Sequence, residues 1–354
     1  MALDFSNIHS LNQFKKNNEK KESRDFPFER ENVFDIDLPS ETSIYPFFRE
    51  DFALQDAMFF DTETTGLSHG AGNMVFLAGI GYVDRGKLVI KQFFVSNPSI
   101  EFKLIETLLE LFANRNIVIS YNGKCFDIPV IKTRCVMNGI NEPDVEQIDL
   151  YHISRFVWKD KLRSFRLVDI EREILKFERK DDLPGSMAPF AYREFLLRGK
   201  TELLERVFKH NLRDVYSLFE IFKIICNKNN IDVLFAKARK FFALKEFDES
   251  LDILRHILSL EIDDINKKKV YSLAAKCLKK KGEFEKAKKL WLKIRDVESH
   301  IELAKFYEHK QRDYNKALKH TEMALSKTKE KTPLFKELLI RKKRLISKSG
   351  YFDL

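Results

Sequence analysis

Asp61 and Glu63 stand two residues apart in the stretch FFDTETTGL, directly after the apolar run of residues 57–60. On an extended backbone alternate side chains share a face, so the two carboxylates project together from a strand end. Such a pair offers the hard oxygen donors that a divalent cation takes. Gly66 lets the chain turn away sharply, and Thr62 or Thr64 can cap that turn. A third acid, Asp127, lies in SYNGKCFDIP, where a strand runs into a turn and a helix begins. There it can cap the helix, worth about 1 kcal/mol, and can also deliver a carboxylate to the sheet edge that carries the first pair. Thr64, Asn122 and the backbone at Gly123 are the candidate substrate contacts, placed to meet phosphate or sugar. In HNLRD, His210 and Asp214 are four apart and share one helix face. Taken singly, these are an acidic loop, a helix cap and a surface His–Asp pair. Together, the four acids suit two cations roughly 3.5–4 Å apart, one activating water and one stabilising the leaving oxygen of an in-line phosphodiester displacement. His210 suits a general base, since an unperturbed imidazole titrates near pH 6.5.

Certain elements must position these residues. The run 57–60, the segments 73–83 and 87–95, rich in Val, Ile and Phe, and NIVIS at 116–120 read as strands, with Asp84-Arg85-Gly86 as a hairpin turn. Residues 101–113 have apolar side chains at helical spacing. Residues 126–137 also read as a helix, provided Pro129 falls in its first turn. Residues 149–198 read as short helices and connections, with a loop at Leu183-Pro184-Gly185, and 202–226 as one long helix. The expectation is a mixed α/β domain over residues 51–228. Before it, residues 1–50 are a polar segment, partly disordered, in which the aromatics Tyr45, Phe47 and Phe48 can pack onto the domain.

From residue 231 to about 350 the strand signals stop. EFDESLDIL, EFEKAKKLW and DYNKALKHT align on Phe247, Phe284 and Tyr314, at spacings of 37 and 30 residues. These bracket the tetratricopeptide period of about 34 residues. Small residues recur at related offsets: Ala238, Ala275 and Ala304 before these turns, Ser250, Ala287 and Ala317 after them. The reading is an all-α, tetratricopeptide-like array, with generic helical hairpins as the alternative.

The bulk properties fit this division. The net charge of +9 is uneven: residues 1–230 carry −3 and residues 231–354 carry +12. A basic half of this kind suits a polyanion such as nucleic acid, or simply solvated helix faces. The four cysteines are far apart, without a CxxC pair, which suits a reducing cytoplasm rather than a disulfide framework. No secretory leader and no apolar run of membrane-spanning length is visible, so no membrane partner is expected.

FFDTETTGL, YNGKCFDIPVI and HNLRDVYSL, in this order, resemble the three exonuclease motifs of the DEDD (DnaQ-like) superfamily. The middle motif is also similar to its counterpart in family B polymerase proofreading domains. GLSHGAGNMVFLAGIG and APFAYREFLLRGKTELLERVFKHNLRDVYSL resemble the bacterial YprB-type RNase H-like domain family, which is often found with tetratricopeptide repeats. The resemblance covers roughly residues 55–228. It implies an RNase H-like mixed sheet flanked by helices, with Asp61, Glu63, Asp127 and Asp214 as ligands of two Mg²⁺ or Mn²⁺ ions. The superfamily's fifth residue is a His five before the last Asp or a Tyr four before it. Here Lys209 and His210 hold those places, so His210 stands in the tyrosine's position.

The expected function is a divalent-metal-dependent 3′→5′ exonuclease acting on DNA or RNA, at a single-stranded end, with the helical repeats available to a protein partner. The alternatives are a non-catalytic adaptor that binds nucleic acid or protein, and a structure-specific endonuclease on the same fold.

Overall fold

A computed structural model describes residues 28–39, 42–48, 52–66, 72–180 and 182–349. The polar run of residues 15–25 and residues 67–71 of the glycine-rich motif lie outside the described residues. The chain divides into two compact units, one ending at Asn230 and one starting at Ile231.

In the first unit, six strands among the described residues form one sheet in the order β1-β4-β3-β2-β5-β6. They are β1 (Phe28–Asp35), β2 (Ala57–Thr64), β3 (Val75–Asp84), β4 (Lys87–Phe94), β5 (Ile117–Ser120) and β6 (Glu146–Asp149). β1 to β4 pair antiparallel, whereas β2, β5 and β6 run parallel. The carboxyl ends of these three parallel strands therefore share one edge, where α/β sheets commonly present ligand-binding groups. β2 is buried along nearly its whole length, so it reads as a continuous apolar run rather than as an alternation.

Two strands have no counterpart in the sequence reading. β1 comes from the stretch assigned to the polar N-terminal segment, because FERENVFD carries the charges of a sheet edge. Those charges are used: Lys91 on β4 pairs with Glu29 at 2.6 Å and Glu31 at 3.5 Å. Arg30 pairs with Glu205 and lies 4.0 Å from the centre of the Phe208 ring. β6, four residues long, is too short to show a period. The aromatics expected to pack onto the domain do so at Phe47, against Phe156, and at Phe48, against Phe52, which in turn meets Phe222.

Helices cover both faces of the sheet. On one lie α1 (Glu101–Asn114) and α2 (Asp127–Met137), with Phe60 edge-on to Phe112. Against the other packs a long helix, Glu202–Cys226, with Phe59 meeting Phe219 and Phe222 at 5.5 and 5.7 Å between ring centres. Between these come α3 (Leu150–Trp158), a short turn α4 (Leu167–Ile170) that continues as a π-helical turn (Glu171–Leu175), and α5 (Ala188–Arg198). The long helix is α6. Its close approach depends on two glycines of β3. A Cβ at Gly79 would stand 2.3 Å from Asn211 Oδ1, and one at Gly81 would stand 2.7 Å from Val215 Cγ1.

The second unit is helical throughout its described residues: α7 (Ile231–Leu244), α8 (Phe247–Ser259), α9 (Asp264–Lys280), α10 (Phe284–Ile294), α11 (Val297–Phe306), α12 (Tyr314–Ser326) and α13 (Pro333–Ser349). A π-helical turn, Tyr307–Gln311, continues α11. Phe247, Phe284 and Tyr314 each open the second helix of a hairpin. The small residues Ala238, Ser250, Ala275, Ala287, Ala304 and Ala317 are all fully buried, as close helix packing requires. Ser250 satisfies its hydroxyl on the Ala238 carbonyl at 2.9 Å. Among the described residues no helix is long and apolar enough to cross a membrane.

Candidate active site

β2 brings Asp61 and Glu63 to the α6 face of the sheet, the face that Phe59 already occupies, by simple alternation. The register with β3 shifts between Glu63 and Thr64, an irregularity that commonly re-aims side chains. Thr64 then donates its hydroxyl to the Gly66 carbonyl at 2.6 Å, which caps the turn. Thr62 points to the opposite face and there meets Asp127: its backbone N–H donates to Asp127 Oδ1 at 3.1 Å, and its hydroxyl donates to the same oxygen.

Asp127 is the first residue of α2, with Pro129 two places on, inside the first turn. The turn that leads to it is tight. Asn122 has φ 62°, the left-handed region that Asn tolerates better than most residues. A Cβ at Gly123 would sit 2.5 Å from Ser120 Oγ and 2.9 Å from Asp127 Oδ2. The N–H of Asn122 donates to Asp149 Oδ1 at 2.8 Å, and that oxygen also caps α3. Thr64, Asn122 and Gly123 thus each have a local structural part.

α6 supplies the other side. Asn211, fully buried, donates from Nδ2 to Asp61 Oδ2 at 2.8 Å. Its orientation is fixed from behind by Gln92, whose amide donates to Asn211 Oδ1 and to the Phe208 carbonyl, both at 2.8 Å. One turn apart on the same helix, His210 Nε2 and Asp214 Oδ2 are 3.6 Å from each other. His210 Nδ1 faces Asp182, 2.9 and 3.0 Å from its two oxygens. Arg179 reaches Asp214 Oδ1 at 2.6 Å and holds Glu171 with two further hydrogen bonds. Asn211, Arg179, Asp182 and Glu171 escaped the sequence reading. Asn211 sits inside the motif that named His210, but the other three lie in a stretch without period.

The electrostatics follow from crowding acids in a poorly solvated place. Burial comes first, followed by repulsion from Asp214, Asp127 and Glu63, and together they hold the Asp61 carboxyl well above its usual range; Asn211 relieves part of this. Glu63 is pushed up to about 8, by burial above all, with His210 opposing. Asp127 rises to about 6 through burial, moderated by the two hydrogen bonds from Thr62. Burial alone would depress His210, but Asp214, Asp182 and Glu63 outweigh it and lift the imidazole to about 9. These acids favour the imidazolium form of His210 over the free base.

This donor set fits a divalent cation in chemistry: oxygen ligands whose mutual repulsion a positive ion would relieve. As the side chains stand, no three Asp, Glu, His or Cys groups among the described residues already form a cage for a metal ion. Three of the carboxylates each accept from a protein donor: Asp61 from Asn211, Asp127 from Thr62 and Asp214 from Arg179.

Residues 58–226 match the family RNase_H_2 of the RNase_H superfamily. The chain is 34% identical over 287 residues to the uncharacterized protein YprB of Bacillus subtilis (strain 168), a match covering 76% of this chain and 68% of that protein. Among solved structures, the family B DNA polymerase of the hyperthermophilic archaeon Pyrobaculum calidifontis matches with a TM-score of 0.39 and 14% identity. That match covers 56% of this chain and 29% of the polymerase.

Proposed function

The chain belongs to the RNase_H superfamily, and from that premise we propose that it is a divalent-metal-dependent nuclease that removes nucleotides from the 3′ end of a nucleic acid strand. One observation carries the reading. Three separate parts of the chain bring acids to one place: β2 carries Asp61 and Glu63, Thr62 between them bonds Asp127 of α2, and Asn211 of α6, on the same helix as Asp214, bonds Asp61. Acids are not gathered from three elements into a buried place for stability, since each raises the cost of ionising the others.

Asp61, Glu63, Asp127 and Asp214 are the proposed ligands of Mg²⁺ or Mn²⁺. Two such ions, when bound, supply charge that eases deprotonation of the attacking water and stabilises the leaving oxygen. The protein's own part is to hold the carboxylates. Asn211 fixes Asp61, Thr62 fixes Asp127 and Arg179 fixes Asp214. His210, as an imidazolium, holds Asp214 or a substrate phosphate. It serves as a base only where its acidic neighbours are neutralised. The +12 charge of residues 231–354 supports the helical unit, read as a tetratricopeptide-like array, as a guide for nucleic acid.

The test is to incubate the purified protein with 3′-labelled single-stranded DNA and RNA in Mn²⁺, beside an Asp61→Ala variant and a circular substrate. Shortening of linear strands by the wild type alone supports the reading. Equal activity in both proteins would sink it, and cutting of circles would make the enzyme an endonuclease. A second reading, a domain that binds nucleic acid without cutting it, is favoured by the engagement of Asp214 with Arg179, a cation already in place at that carboxylate. Calorimetry with no heat of Mn²⁺ binding at millimolar concentration would select it.

A further inference from the structure

We propose that Arg179 and Asp182 are the positioning residues of the site, Arg179 setting the carboxylate of Asp214 and Asp182 setting the imidazole of His210. The proposal rests on the nuclease reading for the purpose of the positioning, though not for its geometry.

Arg179 is an expensive residue to place where it is. Its side chain is 5% exposed, and a guanidinium so withdrawn from water must be fully paired. Glu171, itself buried, takes the largest share of that pairing. Its two oxygens receive Nε and Nη2 at 2.5 and 2.6 Å, which locks the plane of the fork. Ser217, one turn beyond Asp214 on α6, donates its hydroxyl to Glu171 and ties this anchor to the helix. The further bond from Nη2 to Asp214 Oδ1 at 2.6 Å has a geometric consequence. It fixes the carboxylate by one oxygen and leaves Oδ2 on the side of His210 Nε2.

The backbone bears a cost for this arrangement. Glu171 opens the π-helical turn, a rare form that concentrates at functional sites. The turn ends at Lys176 with φ 58°, a conformation that a lysine adopts at some expense.

Asp182 completes the assembly from the other side. It stands among three partners, with Arg179 Nη1 3.1 Å from its Oδ2, Arg213 Nη1 3.6 Å from its Oδ1 and His210 Nδ1 within 3.0 Å of both oxygens. Occupying Nδ1 fixes the ring and directs Nε2 at the acids. The chain then passes over the ring at Gly185, where a Cβ would come to 3.4 Å from Nε2.

The two residues predict different signatures. In Arg179→Lys, which keeps the charge and loses the fork, the Mn²⁺ dissociation constant measured by calorimetry rises about 10- to 100-fold. Excess Mn²⁺ then restores most of kcat. In Asp182→Asn, Mn²⁺ affinity stays within about twofold, whereas kcat falls about 10-fold at unchanged KM. The nitrogen-15 spectrum of His210 moves with it. Should Arg179→Lys lose its fold by circular dichroism, Ser217→Ala replaces it, with a rise in dissociation constant of about threefold. Unchanged Mn²⁺ affinity in the Arg179 or Ser217 variant overturns the first assignment. An unchanged His210 spectrum in Asp182→Asn overturns the second. Both readings need no substrate, so a wild-type protein that cuts nothing would refute the nuclease reading and leave these two measurements to judge the positioning.

Discussion

Asn211 donates from one amide nitrogen to both the side chain and the backbone of Asp61, at 2.8 Å to Oδ2 and 3.2 Å to the carbonyl. Its own oxygen is taken by Gln92, so the amide has one allowed orientation and Asp61 one favoured rotamer.

Asn211→Ala therefore has two effects. It leaves Gln92 with a lost partner in the core, which costs about 1–3 kcal/mol of stability in urea unfolding. It also frees Asp61 to rotate, and, with Asp61 as the proposed metal ligand, nuclease activity should fall about 10- to 100-fold. Full activity in a folded Asn211→Ala protein would show that Asp61 needs no such support.

Space between sheet and helix makes the next case. Gly79→Ala places a methyl 2.3 Å from Asn211 Oδ1 and 2.8 Å from Val215 Cγ2, so α6 must shift. The expected loss is about 1–3 kcal/mol. Gly72→Ala, with nothing within 4 Å, serves as the control and stays within about 0.5 kcal/mol. Chemical unfolding of both proteins checks the difference.

Mn²⁺ should raise the melting temperature of the wild type. Binding to the folded state alone contributes about 2.7 kcal/mol at a hundred times the dissociation constant. Asp61→Ala, with one oxygen donor pair removed, should lose most of that rise. It should also melt at or above the metal-free wild type, because a raised, repelled carboxyl is gone. Scanning calorimetry with and without Mn²⁺ reads both effects.

Acid sensitivity is expected in the second unit at Glu308. Burial alone would raise this carboxyl, but hydrogen bonds from Arg341, Lys348 and Arg344 pull it down to about 2. A carboxylate whose folded pKa lies below its unfolded value of about 4.3 stabilises fully above that value. The contribution is lost as pH falls through about 2. Glu308→Gln should cost about 2 kcal/mol at pH 7, between an exposed pair and a buried one. It should also flatten the dependence from pH 4.5 downward. Hydrogen exchange of the α13 amides across that range reports it locally.

Much of this was legible in the sequence because it was written in local patterns. β2 to β5 announced themselves by apolar runs, and Asp61, Glu63, Asp127, His210 and Asp214 each stood beside such a run or on a periodic helix. Phe247, Phe284 and Tyr314 marked helix starts because an aromatic recurs in similar nine-residue stretches, at uneven intervals of 37 and 30 residues. β1 was hidden by Glu29, Arg30 and Glu31, charges that pair with residues far along the chain. Arg179 and Asp182 carried no signal, since their partners Glu171, His210 and Asp214 become neighbours only in the folded chain. The charge state of His210 was illegible for the same reason, as it depends on acids brought from elsewhere.

The order in which the acids occur along the chain has a further consequence during synthesis. Asp61 and Glu63 emerge from the ribosome with β2, but Asp214 follows only with α6, after every strand of the sheet has been made. Arg179 and Asp182 also precede it, with their partner on α6 still to come. The growing polypeptide therefore carries an incomplete set of charges beside the messenger that encodes it, and the set closes only when the last helix of the unit docks.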